Sequence, residues 1–274
     1  MKISLIIISI FCAASLFAAA PHPDNVVVPL SAASQVLIPV AGSTPGGFGT
    51  FFRSDITIIN FASHDQQVRL QWLPQGGTPV STTITITAQN GIRSSDFVTD
   101  YLKQSGLGAI IVSGVTSSGA VDNSALLYAS SRIWTNQPGS NGTMSQSLPA
   151  VPMNALFPMS TAGFFAVGGA DNPANYRTNV GIVNTDPTTT QTFTILVPIA
   201  VPSGGTTGNA FLVTLPPMSM AQVAVGTGLS PTQQIIVRNT TPGILLPNPN
   251  WIAYVSNVDN ISGDAWSELA VPGQ

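Results

Sequence analysis

Apolar and polar residues alternate strictly along Val68-Arg69-Leu70-Gln71-Trp72 and Ile84-Thr85-Ile86-Thr87. Side chains two residues apart share one face of a β-strand, so the alternation predicts strands with one packed face and one solvated face. It also turns Trp72 into the core, in phase with Val68 and Leu70. Short segments rich in Val, Ile, Thr and Phe recur along the chain between clusters of Gly, Pro and Asn. That is strand chemistry, because β-branched side chains suit a pleated, half-buried surface and the breakers supply turn geometry. Roughly seven such segments per ~120 residues read as a β-sandwich or a small barrel, and the expected fold is all-β, two tandem β-sandwich (Ig-like) domains. Ser95 to Lys103 is the exception. Ser94 or Ser95 can cap it, Phe97 and Tyr101 share a face at i and i+4, and Gly106 follows as a stop, which predicts one short helix in the first domain.

The pattern occurs twice. Arg53-Ser54-Asp55-Ile56-Thr57-Ile58-Ile59-Asn60 returns as Arg177-Thr178-Asn179-Val180-Gly181-Ile182-Val183-Asn184, each preceded by an aromatic, Phe52 or Tyr176. Gly46-Gly47-Phe48-Gly49 is answered by Gly168-Gly169, and Val36-Leu37-Ile38-Pro39 by Ala155-Leu156-Phe157-Pro158. Further on, Val68 to Pro74 matches Phe193 to Pro198, and Leu127 to Ser130 matches Ala253 to Ser256. Ser147 to Pro152 matches Ser267 to Pro272. These matches divide the chain into a first sandwich over 36–152 and a second over 153–274. The connection near Pro152 to Asn154 is short enough to hold the two in a fixed relation. Residues 21–35 form an arm whose part from Pro21 to Ser34 has no counterpart in the second copy. Its Val26 to Leu30 run is strand-like, and Pro21, Pro23 and Pro29 restrict its pairing. It either lies on its own domain or is donated to a neighbouring subunit, which would make a filament joined by strand exchange.

The aromatic, the Arg-Ser/Thr-Asp/Asn triplet, the aliphatic alternation and the closing Asn, set after a Gly-rich loop, resemble a family of secreted bacterial proteins with tandem β-sandwich repeats. The resemblance covers nearly the whole chain beyond residue 20 and implies fold and export. That family has no established activity, so no mechanism comes with it. The second copy departs from the pattern at Gly181, where a side chain is missing, and over Gly226 to Pro231, which shows no clear helix.

Composition adds a compartment. Lys2, the apolar run Ile3 to Phe17 and Ala18-Ala19-Ala20 have the three parts of a secretory signal peptide, residues 1–20, cleaved after Ala20. An uncleaved anchor is the alternative, since the run approaches the length of a spanning helix. The single cysteine, Cys12, lies inside it. No later apolar run suggests a membrane span, so the expected product is secreted or held at the cell surface, without disulfides. Charged residues are 7% of the chain, against about 25% in ordinary soluble proteins, and 44% are apolar. With a net charge of −3 there is no basic stripe for nucleic acid. An uncharged polar surface repels its copies weakly, which favours self-association or contact with extracellular matrix and glycans.

Reactive chemistry is sparse. His22 and His64 are the two histidines, and no Gly-x-Ser-x-Gly, Ser-x-x-Lys or phosphate-binding Gly-x-x-x-x-Gly-Lys occurs. No cofactor or catalytic residue is expected, and the chain reads as a non-enzyme. Asp171 with Asn172, and Asp259 with Asp264, place oxygens close enough in loops to be weak calcium candidates, without the EF-hand spacing. Trp134, beside Asn136 at the edge of a polar loop, is a weak candidate for stacking on a sugar. The repeated residues Arg53, Asp55, Asn60, Arg177, Asn179 and Asn184 are read as structural. Arg53 beside Asp55 would brace the strand entry through a local ion pair, with Asn60 and Asn184 suiting the turns that follow. The expected function is a structural or adhesive protein of the cell surface or an extracellular assembly. A carbohydrate-binding module is the alternative.

Overall fold

The computed structural model describes residues 32–137, 139, 141–166, 175–200, 206–227, 234–242 and 250–273. The signal peptide and nearly all of the arm lie outside the described residues. So do the Gly168-Gly169 loop, the Asp171-Asn172 pair and most of Gly226 to Pro231.

The first half contributes β1 (Gln35–Pro45), β2 (Phe51–Asn60), β3 (Gln66–Pro74), β4 (Val80–Ile86), β5 (Gly91–Ser94), α1 (Phe97–Asp100), β6 (Gly106–Val115), β7 (Leu127–Asn136), β8 (Thr143–Pro149) and β9 (Val151–Pro152). The second contributes β10 (Ala162–Ala166), β11 (Tyr176–Asn184), β12 (Gln191–Ala200), β13 (Thr206–Leu215), β14 (Ser219–Thr227), β15 (Gln234–Asn239), β16 (Trp251–Asp259), β17 (Ala265–Leu269) and β18 (Val271–Pro272). The fold is an all-β sandwich with antiparallel sheets and, among the described residues, one short α-helix.

Strand order in the two halves is the same. The first half runs β4-β3-β6-β1-β2-β7-β8, with β5 on β2 and β9 on β1. The second runs β13-β12-β15-β10-β18 and β14-β11-β16-β17, which is the first order with nine added to each label. The β1–β2 hairpin, pairing Ser43 with Arg53 and Pro45 with Phe51, joins the first half's layers into one nine-stranded sheet.

Pairing corrects two of the sequence matches. Asn60 lies opposite Leu127 and Asn184 opposite Trp251, so the counterpart of Leu127 is Trp251 rather than Ala253. A slip of two residues keeps every side chain on its face, so alternation cannot detect it. Ala33 bridges Leu127 as Phe157 bridges Trp251. The end of the arm therefore does have a counterpart, and the strand that answers β1 is β10, not Ala155 to Pro158.

Each half buries its own core. Val36, Ile38, Ile56, Ile58, Leu70, Trp72, Ile110 and Val112 fill the first, around Phe97 from α1. Phe165, Val180, Ile182, Phe193, Ile195, Val237 and Trp251 fill the second, where Trp251 stands edge-on to Phe157 with centroids 5.2 Å apart. A third cluster joins the halves: Leu37, Val40, Leu73, Ala109 and Ile111 meet Val183, Met220, Ile252 and Tyr254. Residues Ser31–Gln274 accordingly form one compact unit. Strands at this seam are buried on both faces, as in β6 and β16. They read as continuous apolar runs for that reason.

The repeated asparagines are fully buried. Asn60 Nδ2 donates to the carbonyls of His64, Ile86 and Thr87, while its Oδ1 accepts from the N–H of Ala62. Asn184 does the same with the carbonyls of Thr189, Leu215 and Pro216 and the N–H of Asp186. One side chain thus ties the turn after the second strand to the end of the fourth in each half.

The helix is shorter than expected. Neither serine caps it: Asp96 holds the N-cap position without a side-chain cap bond, and Ser94 Oγ accepts the Asp96 N–H at 3.0 Å while donating to Asp100. Lys103, with φ 55, turns the chain out of the helix. Phe97 and Tyr101 stack at 4.6 Å.

Candidate functional site

The repeated arginine signature leads to two different places, because the same sheet face is open in one half and covered in the other. In the first half, the outer face of β2 and β7 carries Arg53 opposite Trp134, Asp55 opposite Arg132 and Thr57 opposite Ser130. Asp55 does not pair with Arg53. Arg93 of β5 takes the Asp55 carboxylate through Nε at 2.9 Å and Nη2 at 2.6 Å, and Arg53 reaches Asp96 at 3.6 Å. Arg93 lies opposite Thr57 across the β2–β5 ladder, on the face it shares with Asp55 and diagonal to it, and Asp96 precedes α1, so each partner comes from outside β2. The Arg53 guanidinium also lies 4.7 Å from the Phe51 ring centre and 5.4 Å from that of Trp134. The Trp134 indole N–H donates to the Ser95 carbonyl at 2.8 Å. Trp134 therefore already has a ring contact and a hydrogen bond within the protein, and Asn136 is exposed at the end of β7.

Hydrogen bonds from Arg93 hold the Asp55 carboxyl below the usual carboxylate range; partial burial opposes them, and the charges of Arg93 and Arg132 add to the lowering. A carboxyl depressed in the folded state contributes stability above its unfolded pKa and loses it as pH falls through the folded value. Replacing Arg93 by glutamine is expected to raise the Asp55 titration midpoint, read from its carboxyl carbon by NMR. An unchanged midpoint would dissociate Arg93 from the shift.

In the second half the corresponding face docks on the first half. Gly181 stands where Thr57 stands in the first copy, and the Tyr254 ring lies across it. Any β-carbon on Gly181 would overlap that ring. Tyr254 is 1% exposed and its hydroxyl donates to Gln222 Oε1 at 2.9 Å. Burial pushes the phenol pKa up, so Tyr254 stays neutral. Gln222 N–H in turn donates to Gln75 Oε1 of the first half at 3.0 Å, and the Ser256 hydroxyl to Gln146 Oε1 at 3.0 Å.

Beside this seam the halves leave a cleft of about 620 Å³. From β7 it takes Ile133 and Thr135, alternate residues on one face, and from just beyond the strand Gln137; Trp134 points the other way. Phe52, Leu107 and Met144 supply apolar surface, and Arg177 is the only cation in the lining among the described residues. Arg177 donates through Nη1 to Asn260 Oδ1, not to Asn179, and partial burial lowers its pKa.

The Asp259–Asp264 loop forms the rim. Asp259 Oδ1 accepts the Ile261 N–H at 2.9 Å and Oδ2 the Ser262 hydroxyl at 2.6 Å, which hold its carboxyl below the usual range. Asp264 Oδ1 accepts the Ala265 N–H at 3.0 Å. Both Asp259 and Asp264 thus accept from donors of their own turn, and no group of three or more His, Cys, Asp or Glu placed to hold a metal ion occurs among the described residues. Gly263 sits at φ +76, and a side chain there would also overlap Met144.

The lining is missed by sequence reasoning because its residues lie far apart in the chain and share no motif. Alternation does show which residues share a face with Ile133, but not that this face meets the other half.

Fold and cleft together define an all-β sandwich protein with a cleft of mixed polar and apolar lining where its halves meet. No family model matches the chain, and no curated protein matches it. The crystal structure of Thermotoga maritima 1070 is similar over 44% of this chain and 95% of its own, at 10% identity and a TM-score of 0.31, too distant to add to the fold or the site. No helix among the described residues is long and apolar enough to cross a membrane.

Proposed function

We propose that this is an exported, non-enzymatic adhesive or structural module of the cell surface or an extracellular assembly, which holds its ligand in the cleft between its halves. The cleft carries the proposal. Its volume falls within the range of roughly 300–1,000 Å³ common to ligand sites, and it lies at an internal interface, where such sites concentrate. Its amide and hydroxyl side chains with Phe52 and Met144 are suited to a hydroxylated ligand with apolar faces. Among the described residues the lining contains neither histidine nor cysteine, and its one carboxylate, Asp259, is engaged in its own turn.

Binding of the purified protein to immobilised glycans and matrix material should disappear when Thr44→Trp fills the cleft. Trp134→Ala should leave it unchanged, and soluble polysaccharides and aryl glycosides should not be hydrolysed. Retained binding in Thr44→Trp together with loss in Trp134→Ala would move the site to the outer face of β7. Turnover abolished by Thr44→Trp would make the chain an enzyme.

A further inference from the structure

The ligand's chemistry can be read from what the cleft has left to offer, an inference that rests on the cleft being the ligand seat. Three of its glutamines are biased toward donation. The side-chain oxygens of Gln75, Gln222 and Gln146 accept from the Gln222 N–H, the Tyr254 hydroxyl and the Ser256 hydroxyl respectively. A backbone N–H can only donate, so the Gln75 amide is fixed with its oxygen inward. What these glutamines retain is NH2. Asp259 is spent on its own turn in the same way.

Two further groups lack what they need. The Thr135 hydroxyl is on a residue 1% exposed and has no hydrogen-bond partner among the described residues, although it lines the cleft. A buried hydroxyl left unpaired is unfavourable. Arg177 carries up to five N–H donors and meets the neutral Asn260 oxygen. No carboxylate among the described residues forms an ion pair with it. A ligand that brings oxygen acceptors, one of them negatively charged, answers both.

We propose that the cleft binds a carboxylate-bearing saccharide, an oligouronide. Its carboxylate pairs with the planar fork of Arg177, and its hydroxyl and ring oxygens accept from the Gln75, Gln146 and Gln222 amides and from Thr135. One cation in the lining matches one carboxylate, whereas the fuller charge of a phosphate would ask for a second. Phe52 and Leu107 face the apolar side of the sugar ring.

Calorimetry on the full chain would compare a trimeric oligogalacturonide with free carboxylates and its methyl ester, which differ in charge and by one methyl on each carboxyl. The acid is expected to bind at least ten-fold more tightly. Arg177→Gln, where it folds, should erase the difference, and Thr135→Val should weaken both ligands. Equal binding of acid and ester overturns the proposal while leaving the cleft as a ligand seat. Unaltered preference in a folded Arg177→Gln protein overturns it too. If neither ligand binds, the proposal falls, and the Thr44→Trp comparison on immobilised glycans decides separately whether the cleft is a ligand seat. The acid–ester comparison needs no variant, so it holds even if Arg177→Gln fails to fold.

Discussion

Replacing Asn184 by alanine is expected to cost about 3 kcal/mol or more, with the same result for Asn60. Each change removes the buried NH2 that three carbonyls share and the oxygen that one N–H needs; the Thr87 and Pro216 carbonyls keep a second donor, the Asn90 N–H and the Ser219 hydroxyl, while the N–H of Ala62 or Asp186 loses the partner described for it. A buried polar group left unpaired costs about 1–3 kcal/mol, less where water can reach it. In a chain of this size that loss lowers the melting temperature by roughly 6–12 °C. Asn184→Asp separates hydrogen bonding from packing. It keeps the oxygen that accepts from Asp186 but sets a carboxylate against the carbonyls of Thr189, Leu215 and Pro216. Urea titration should find it no more stable than the alanine variant. Wild-type stability in Asn184→Asp would show that something else closes the turn.

The second large effect belongs to Gly181. A threonine there, the residue at the matching position of the first half, overlaps the Tyr254 ring, and overpacking of this kind costs about 1–3 kcal/mol, occasionally more. Tyr254→Ser alone should also destabilise, by removing a fully buried ring from the seam. Combined, the two changes recreate the Thr57–Ser130 pair, and the double variant should be more stable than the sum of the single costs predicts. Simple additivity in the cycle would mean that ring and glycine are not in the contact described. The recovery should remain incomplete, because the short serine side chain cannot reach across to Gln222 or fill the seam beside Val183 and Ile252.

Gly181 shows where the repeat and the docking of its copies part company. In sequence it is a gap in an otherwise faithful echo; in the structure it is the space that Tyr254 occupies to join the halves. The arginines diverge similarly. Arg53 finds Asp96 and a pair of aromatic rings on an open face, while Arg177 is drawn into a cleft with Asn260. A local ion pair within β2 is the natural expectation from spacing along one strand, but spacing says nothing of the neighbour across the ladder. Cleft residues are harder still to read: Thr135 is one position from Trp134, and one position reverses the face.

The all-β character, the succession of strands stated twice, the inward side of Trp72 and the places of Asn60 and Asn184 are all legible in the chain before it folds. Alternation, turn residues and strand propensity are local properties of a few consecutive residues, so they need no knowledge of the fold. Which outer face is covered, which partner each arginine takes and where a cleft opens emerge only in three dimensions. Those depend on the contact of one half with the other, made by residues more than a hundred positions apart, such as Gln75 with Gln222 and Gln146 with Ser256.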